Sequence, residues 1–137
     1  MELVNWNIIC NAFGSSLAQN GLALQERSHG GGHRSTLVFQ AQNASWVALL
    51  EAGEPEYIGV TLNNGARFWE HEWSDEYQEV HAKLYGEVVV EHFLGRGELR
   101  KGVFGGRHYS VVVDGERINS KDFVSEAELS AIGNGLQ

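Results

Sequence analysis

Apolar side chains recur at helical spacing near the start of the chain. Within residues 2–18 they fall close to one helix face, at Val4, Ile8, Ile9, Ala12, Phe13 and Leu17. Gly21 follows, and a glycine in this place commonly takes the left-handed conformation that ends a helix. The pattern therefore predicts an N-terminal helix, although Gly14 weakens it from within.

Short apolar runs separated by turn residues follow between positions 22 and 69. Segments typical of strands lie at residues 22–27, 36–40, 46–50, 57–62 and 66–69. The sequence Asn63-Asn64-Gly65 is a strong hairpin signal between the last two. Phe68 alternates out of phase with Trp69 and Trp73, so one of these face assignments must fail unless a bulge intervenes.

The clearest helix signal in the chain begins at Ser74. Ser74 is a favourable N-cap, and Asp75 and Glu76 fall in the first turn, where the helix dipole stabilises acids. Gly95 is well placed to end the helix. One face is predicted to carry the apolar and aromatic residues of this segment, which are Tyr77, Val80, His81, Leu84, Tyr85, Val88 and His92.

The remaining pattern predicts further strands and a short terminal helix. Residues 98–104, 108–113 and 116–118 are typical of strands, and Ser125 with Glu128 forms a capping box. Strands grouped together and then a helix predict an α+β fold, a mainly antiparallel sheet of about five to eight strands packed with the N-terminal and long central helices. The 137 residues contain no repeat and no linker, so one domain over residues 1–137 is expected.

The net charge of −8 is concentrated in one stretch, residues 51–91. Ten acids lie there against Arg67 and Lys83, and the segments on either side are each neutral. The start of the long helix accounts for Asp75 and Glu76, but it does not require the other acids. A field concentrated in one place can steer and hold a positively charged partner.

Composition limits the cellular compartments in which the protein is expected and the classes of partner that it is expected to bind. The single cysteine, Cys10, cannot form an internal disulfide, which favours a reducing compartment. The sequence has no basic, apolar secretory signal, and no apolar run approaches the roughly 20 residues of a membrane span. The acidic balance opposes binding to nucleic acid or anionic membranes. We therefore expect a cytoplasmic protein that binds neither.

Three histidines raise the possibility of a metal site. His29 and His33 flank three glycines, and His108 lies on a later predicted strand that could pair nearby. Three imidazoles could hold zinc with an open position for water. However, a flexible glycine loop does not by itself converge two rings, and a solvated loop is the simpler interpretation. A metal-assisted hydrolase or small-ligand protein is the alternative hypothesis, and we expect no metal and no other cofactor.

The familiar catalytic patterns are incomplete. His71-Glu72 lacks the second histidine of a zinc-protease helix, because position 75 is Asp75. The glycine triplet has no accompanying Gly-x-Ser-x-Gly motif. Cys10 falls on an apolar helical face without a basic neighbour that would make it a thiolate. A protein without enzymatic activity is the expectation.

Aromatic residues lie among the surplus acids. In an extended strand, Trp69, His71 and Trp73 would share one face, opposite Glu70 and Glu72. Tryptophan and tyrosine are enriched in interface hot spots. The alternative is that the tryptophans are core residues and the acids their solvated side. The predicted partner-binding residues are Trp69, Glu70, Glu72, Trp73, Asp75, Glu76, Tyr77 and Glu79.

This profile resembles that of bacterial toxin-immunity proteins, which are commonly small, cytoplasmic, acidic and free of catalytic motifs. The resemblance implies an immunity or antitoxin-type inhibitor that occludes the active cleft of a basic toxin domain, such as a nuclease. The acids would then occupy the cleft in place of a phosphate-bearing substrate. A self-associating structural subunit is also compatible with the predicted strands.

Overall fold

The structure, a computed structural model, describes residues 6–27, 33–53, 57–71 and 75–134. Five strands follow an N-terminal helix and a 3₁₀ turn: α1 (Trp6–Gly14), the turn (Ala18–Asn20), β1 (Leu22–Arg27), β2 (Arg34–Gln40), β3 (Trp46–Gly53), β4 (Tyr57–Leu62) and β5 (Ala66–His71). The long helix and the C-terminal elements come next: α2 (Asp75–Phe93), β6 (Glu98–Lys101), β7 (Arg107–Val113), β8 (Glu116–Asn119), β9 (Asp122–Phe123) and α3 (Glu126–Asn134).

The strands of the described residues form two antiparallel sheets. The larger has six strands in the order β1-β2-β3-β4-β5-β9, and the smaller has the order β6-β7-β8. The predicted α+β class is therefore confirmed. The first helix is shorter than predicted, because α1 ends at Gly14 and the 3₁₀ turn carries the chain to Gly21, which has a left-handed φ of 75°.

One face of the larger sheet packs against the helices. Strand alternation directs Ala48, Leu50 and Ala52 of β3 toward this side. On β4 and β5 the same face carries buried apolar residues, namely Ile58, Val60, Leu62, Ala66 and Phe68. The inner side of α2 completes the cluster through Ala82, Tyr85, Val88 and Val89.

The two helices are in close backbone contact at Gly86. A Cβ atom at this position would overlap the carbonyl oxygen of Phe13. Phe13 is fully buried in the shared core. Glycine is therefore required by the backbone contact, although it lowers helix propensity.

The smaller sheet packs on α2 through alternate residues of β7. Tyr109, Val111 and Val113 are buried in the same core cluster. The Tyr109 hydroxyl lies 2.8 Å from Nδ1 of His92, whose Nε2 lies 2.6 Å from Oδ1 of Asn63. A neutral ring that donates from Nε2 to the amide oxygen and accepts the tyrosine proton at Nδ1 satisfies both contacts. The contacts connect α2, β7 and the β4–β5 turn.

The predicted caps at Gly95 and Ser125 are both present, whereas the predicted N-cap Ser74 lies outside the described residues. Gly95 has a φ of 76°, and the amides of Gly95 and Arg96 donate to the carbonyls of His92 and Glu91, at 3.0 and 2.9 Å. These two bonds form a Schellman motif at the end of α2. The amide of Glu128 donates to the Ser125 hydroxyl at 3.2 Å, which caps α3. Within the part of the chain that the structure describes, no helix has both the length and the apolarity to cross a membrane.

Gly86→Ala should destabilise the fold. Alanine would add about 1 kcal/mol of helix propensity, but overlap with a backbone oxygen outweighs this gain, so a net loss of about 2 kcal/mol is expected. Urea unfolding followed by circular dichroism measures it. Gly106→Ala is the matched control, because nothing lies within 4 Å of its added methyl group. An unchanged unfolding midpoint for Gly86→Ala would contradict the close helix contact.

The burial of His92 predicts a pH-dependent stability. Burial lowers the pKa of His92 below its ordinary value of 6.5. The folded state therefore binds fewer protons than the unfolded state, so its stability is full above about pH 6.5 and falls as the pH drops toward the lowered pKa. The urea midpoint should fall between pH 7.5 and 5.5, and His92→Gln should reduce this slope. An equal slope in the variant would exclude His92 as its source.

Candidate partner-binding surface

The first turns of α2 carry exposed acids beside exposed apolar side chains. Glu76 and Glu79 are exposed, Tyr77 is 59% exposed and Val80 is 57% exposed. We call these four residues the acidic helix end. Asp75 is the first residue of α2, and the structure does not describe its side chain. Glu72 and Trp73, which were also predicted to bind a partner, lie outside the described residues.

The phase of α2 explains why these residues face outward. Gln78, Ala82, Tyr85 and Val89 recur every three or four positions and form the buried side. The predicted apolar face was therefore wrong at its N-terminal end, since Tyr77 and Val80 lie off this stripe. At the start of the helix Gln78 is the buried residue, which the hydrophobic pattern could not indicate.

The acids of the acidic helix end lack ion pairs. Among the described residues, neither Glu76 nor Glu79 has a cationic partner within 4.0 Å. The outward side of α2 continues through Lys83 and Glu87 toward Glu91, at spacings that keep successive residues on one side. With four acids and the one base Lys83, this side is a net negative ridge about 22 Å long between Glu76 and Glu91.

The two predicted residues on β5 lie on opposite sides of the sheet. Phe68 belongs to the core and Glu70 shares its side, whereas Trp69 points to the other face. The β4–β5 register is continuous, so no bulge intervenes, and the tryptophan is the residue excluded from the core. Trp69 contacts His71, with ring centroids 5.7 Å apart, which agrees with their predicted common face.

Glu70 is not a free acid on this surface. Its carboxylate lies 3.4 Å from the Lys121 ammonium group, which also lies 5.7 Å from the centre of the Trp69 ring. The two charges are only partly exposed. The sequence did not indicate this pairing, because Lys121 comes from the segment just before β9, more than forty residues away.

Other surplus acids are paired as well. Glu51 Oε2 lies 3.0 Å from His33 Nε2, and Glu91 Oε2 lies 3.1 Å from a guanidinium nitrogen of Arg96. The surplus acids therefore do not form one continuous free surface. Among the described members of the predicted set, only those on α2 retain unpaired charge, and Trp69 and Glu70 are separated by the sheet.

A polar cluster on the outer face of the larger sheet was not predicted. Arg67 donates two hydrogen bonds to Asp122, at 2.8 and 2.7 Å, which lower the pKa of that carboxyl. The indole N–H of Trp69 is buried beside the same carboxylate without completing a hydrogen bond of standard geometry. Burial and the nearby Glu51 charge raise the pKa of Tyr57 to about 12. The phenol is therefore neutral at physiological pH.

A cleft lies on the helix side of β5, between α2 and β8. Its volume is about 260 Å³. Arg117 and Lys121 supply positive charge at its edge, and Arg117 also donates to the Ser110 hydroxyl at 3.1 Å. Its other lining is mainly apolar or aromatic and includes Phe68, Leu84, Tyr85 and Ile118. Glu70 and His81 also line this cleft.

The structure does not bring the candidate metal ligands together. His33 contacts Glu51 on β3, whereas His108 lies on β7, which pairs with β6 and β8 rather than with the strands beside His33. His29 lies outside the described residues. Over residues 6–27, 33–53, 57–71 and 75–134, no three histidine, cysteine or acidic residues form a group that could hold a metal ion.

Comparison of the chain with protein-family models, curated proteins and solved structures gives no significant match. What the surface can bind therefore has to be inferred from its own residues.

Replacing Val80 should leave stability almost unchanged if this residue has no packing role. Val80→Ser should alter the free energy of unfolding by less than about 0.5 kcal/mol, as is usual for an exposed position. Val89→Ser is the matched control on the same helix, because Val89 is fully buried. It should lose about 2–4 kcal/mol through the lost methyl packing and a buried hydroxyl. Urea unfolding compares the two, and a large loss at Val80 would show a structural role instead.

Proposed function

We propose that this chain is an acidic protein-binding domain, an immunity or antitoxin-type inhibitor that neutralises a basic toxin. The observation that carries the proposal is the acidic helix end, where Glu76 and Glu79 are exposed beside Tyr77 and Val80. Exposed valine and tyrosine side chains gain from burial against a partner, and the adjacent unpaired acids select a partner of positive charge.

The electrostatic side of the proposal concerns how fast a complex forms. Neither Glu76 nor Glu79 has a described cation within 4.0 Å, and Lys83 lies one helical turn beyond Glu79, so the net negative field of these acids reaches the surrounding solvent. Such a field attracts a basic protein before contact and raises the association rate, most strongly at low ionic strength. The negative ridge along α2 extends this field beyond the acidic helix end. A nuclease toxin would present the phosphate-binding cleft that this ridge complements.

Aromatic and apolar contacts would stabilise the complex once it has formed. Tyrosine supplies a large contact area with few rotatable bonds, and aromatic anchors dominate interface energies. Tyr77 and Val80 are three residues apart on the helix, so both side chains can enter one recess of a partner. Trp69 belongs to the other face of the sheet and is the least suited of the described residues to share this interface.

The protonation of the single thiol and the positions of the histidines favour an inhibitor over an enzyme. Burial raises the pKa of Cys10 to about 11, so the thiolate needed for nucleophilic chemistry is scarce at neutral pH. The alternative hydrolase would use His29, His33 and His108, but His33 is engaged by Glu51 and His108 lies in the other sheet. No observation favours that alternative.

Reversal of the two unpaired acids tests the proposal. The basic partner is first captured from the source lysate at low salt and released at high salt. Glu76→Lys with Glu79→Lys should slow association with it by about tenfold or more at low ionic strength, because attraction becomes repulsion. Stopped-flow or surface-plasmon measurements at several salt concentrations give the rates.

The matched control makes the same change in net charge elsewhere. Glu116→Lys with Glu126→Lys replaces two exposed acids outside α2, so association should change far less. If both double variants slow association equally, net charge alone explains the effect and the proposed binding surface is wrong. Failure to retain any basic protein at low salt would remove the proposed function itself.

A further inference from the structure

The most exposed apolar side chains in the described part of the chain lie at the tip of the β6–β7 hairpin. Phe104 is 100% exposed and Val103 is 95% exposed. Gly105 has a φ of 84°, and its amide donates to the carbonyl of Gly102 at 3.1 Å, so the turn is closed by its own backbone. The turn thus presents two bulky side chains entirely to solvent. We call Val103 and Phe104 the hairpin tip.

Basic residues surround the hairpin tip. The adjoining strand ends pair Arg100 with His108 and Lys101 with Arg107. Residues 96–108 contain four basic residues and one acid, so this segment is strongly positive in a protein whose net charge is −8. Arg100 lies 3.8 Å from Glu98, and the Arg107 guanidinium lies 5.8 Å from the centre of the Phe123 ring. No described acid pairs with Lys101 or Arg107.

The hairpin and the acidic helix end belong to opposite ends of α2. Tyr109, near the start of β7, is bonded to His92 in the last turn of the helix. Glu76 is sixteen residues earlier, or about 24 Å along the axis. The two surfaces therefore cannot contact each other within one molecule. Two molecules can bring them together.

The two surfaces are complementary in charge and in apolar character. Residues 75–80 contain three acids and no base, against the excess of three bases in residues 96–108. Each surface also exposes bulky apolar groups, Tyr77 and Val80 on one and the hairpin tip on the other. Contact would bury apolar area while each charge gains an opposite neighbour.

We propose that the hairpin tip docks on the acidic helix end of a second copy of this chain. Phe104 and Val103 would lie against Val80 and Tyr77, with Lys101 and Arg107 facing Glu76 and Glu79. The two surfaces are different patches, so the contact is heterologous and builds a closed ring or an open chain, according to the rotation between copies. Association should rise with protein concentration and weaken with salt.

This inference does not depend on the proposed inhibitor function, but both involve the acidic helix end. A basic partner and the hairpin of a neighbouring copy would compete for it. Variants of the hairpin tip separate the two ideas, because they remove self-association and leave the acidic surface intact for the partner.

Sedimentation equilibrium of the purified chain tests the proposal. At about 20 mM salt the average mass should rise with concentration above the 15.2 kDa monomer, and at about 500 mM salt it should return toward the monomer. Val103→Ser with Phe104→Ser should abolish the rise, as should Glu76→Lys with Glu79→Lys. Val112→Ser is the matched control, since Val112 is 45% exposed on the same sheet and lies outside both surfaces.

Mixing the two double variants gives the sharpest result. The hairpin variant keeps an acidic helix end and the helix variant keeps a hairpin tip, so they can form only one contact between them. A one-to-one complex with no larger species is expected, although each variant alone is a monomer. Monomers in the mixture would overturn the proposal, and so would a monomeric parent protein at low salt. Binding of the hairpin tip to anionic lipid vesicles without self-association would also overturn it.

Discussion

Burial of the inner side of α2 is the contact on which the rest of the structure depends. The six-stranded sheet, α1 and the three-stranded sheet all place apolar side chains against this one helix. Without α2, the apolar face of each of these three parts would be exposed to solvent. The space is tight enough at Gly86 that the Phe13 carbonyl leaves no room for a side chain. The second sheet is then held by Tyr109 and His92 at the far end of the same helix.

Burial of the inner side of α2 also determines which acids of this helix are exposed to solvent. Once Gln78, Ala82, Tyr85 and Val89 face inward, the helix must carry Glu76 and Glu79 outward. Their exposure follows from the phase of the helix, and among the described residues no cation lies within 4.0 Å of either carboxylate. Elsewhere the fold brings bases to acids that lie far apart in sequence, as with Lys121 and Glu70. The number of acidic residues in the sequence therefore overestimates the unpaired negative charge on the surface.

Because both sheets pack on α2, basic and acidic residues are separated toward opposite ends of this helix. The smaller sheet contributes most of its basic residues near the C-terminal end of α2, whereas unpaired acids lie near the N-terminal end. Exposed apolar side chains accompany both. The chain thus has a negative surface near one end of α2 and a positive surface near the other, and both proposals arise from these surfaces.

The sequence by itself determined the local structure. Periodicity, glycines and caps predicted the α+β class, the positions of most strands, the extent of α2 and the motifs at Gly95 and Ser125, because these depend on neighbours a few residues apart. Charge counting also located the acids of α2. Tertiary structure alone decided that the strands divide into two sheets, that Gln78 rather than Tyr77 is buried, and that Trp69 and Glu70 face opposite sides. It also decided that Arg67 pairs with Asp122 and that Phe104 stands free in solvent. These outcomes depend on which distant segments meet, and no local pattern encodes the meeting of residues fifty positions apart.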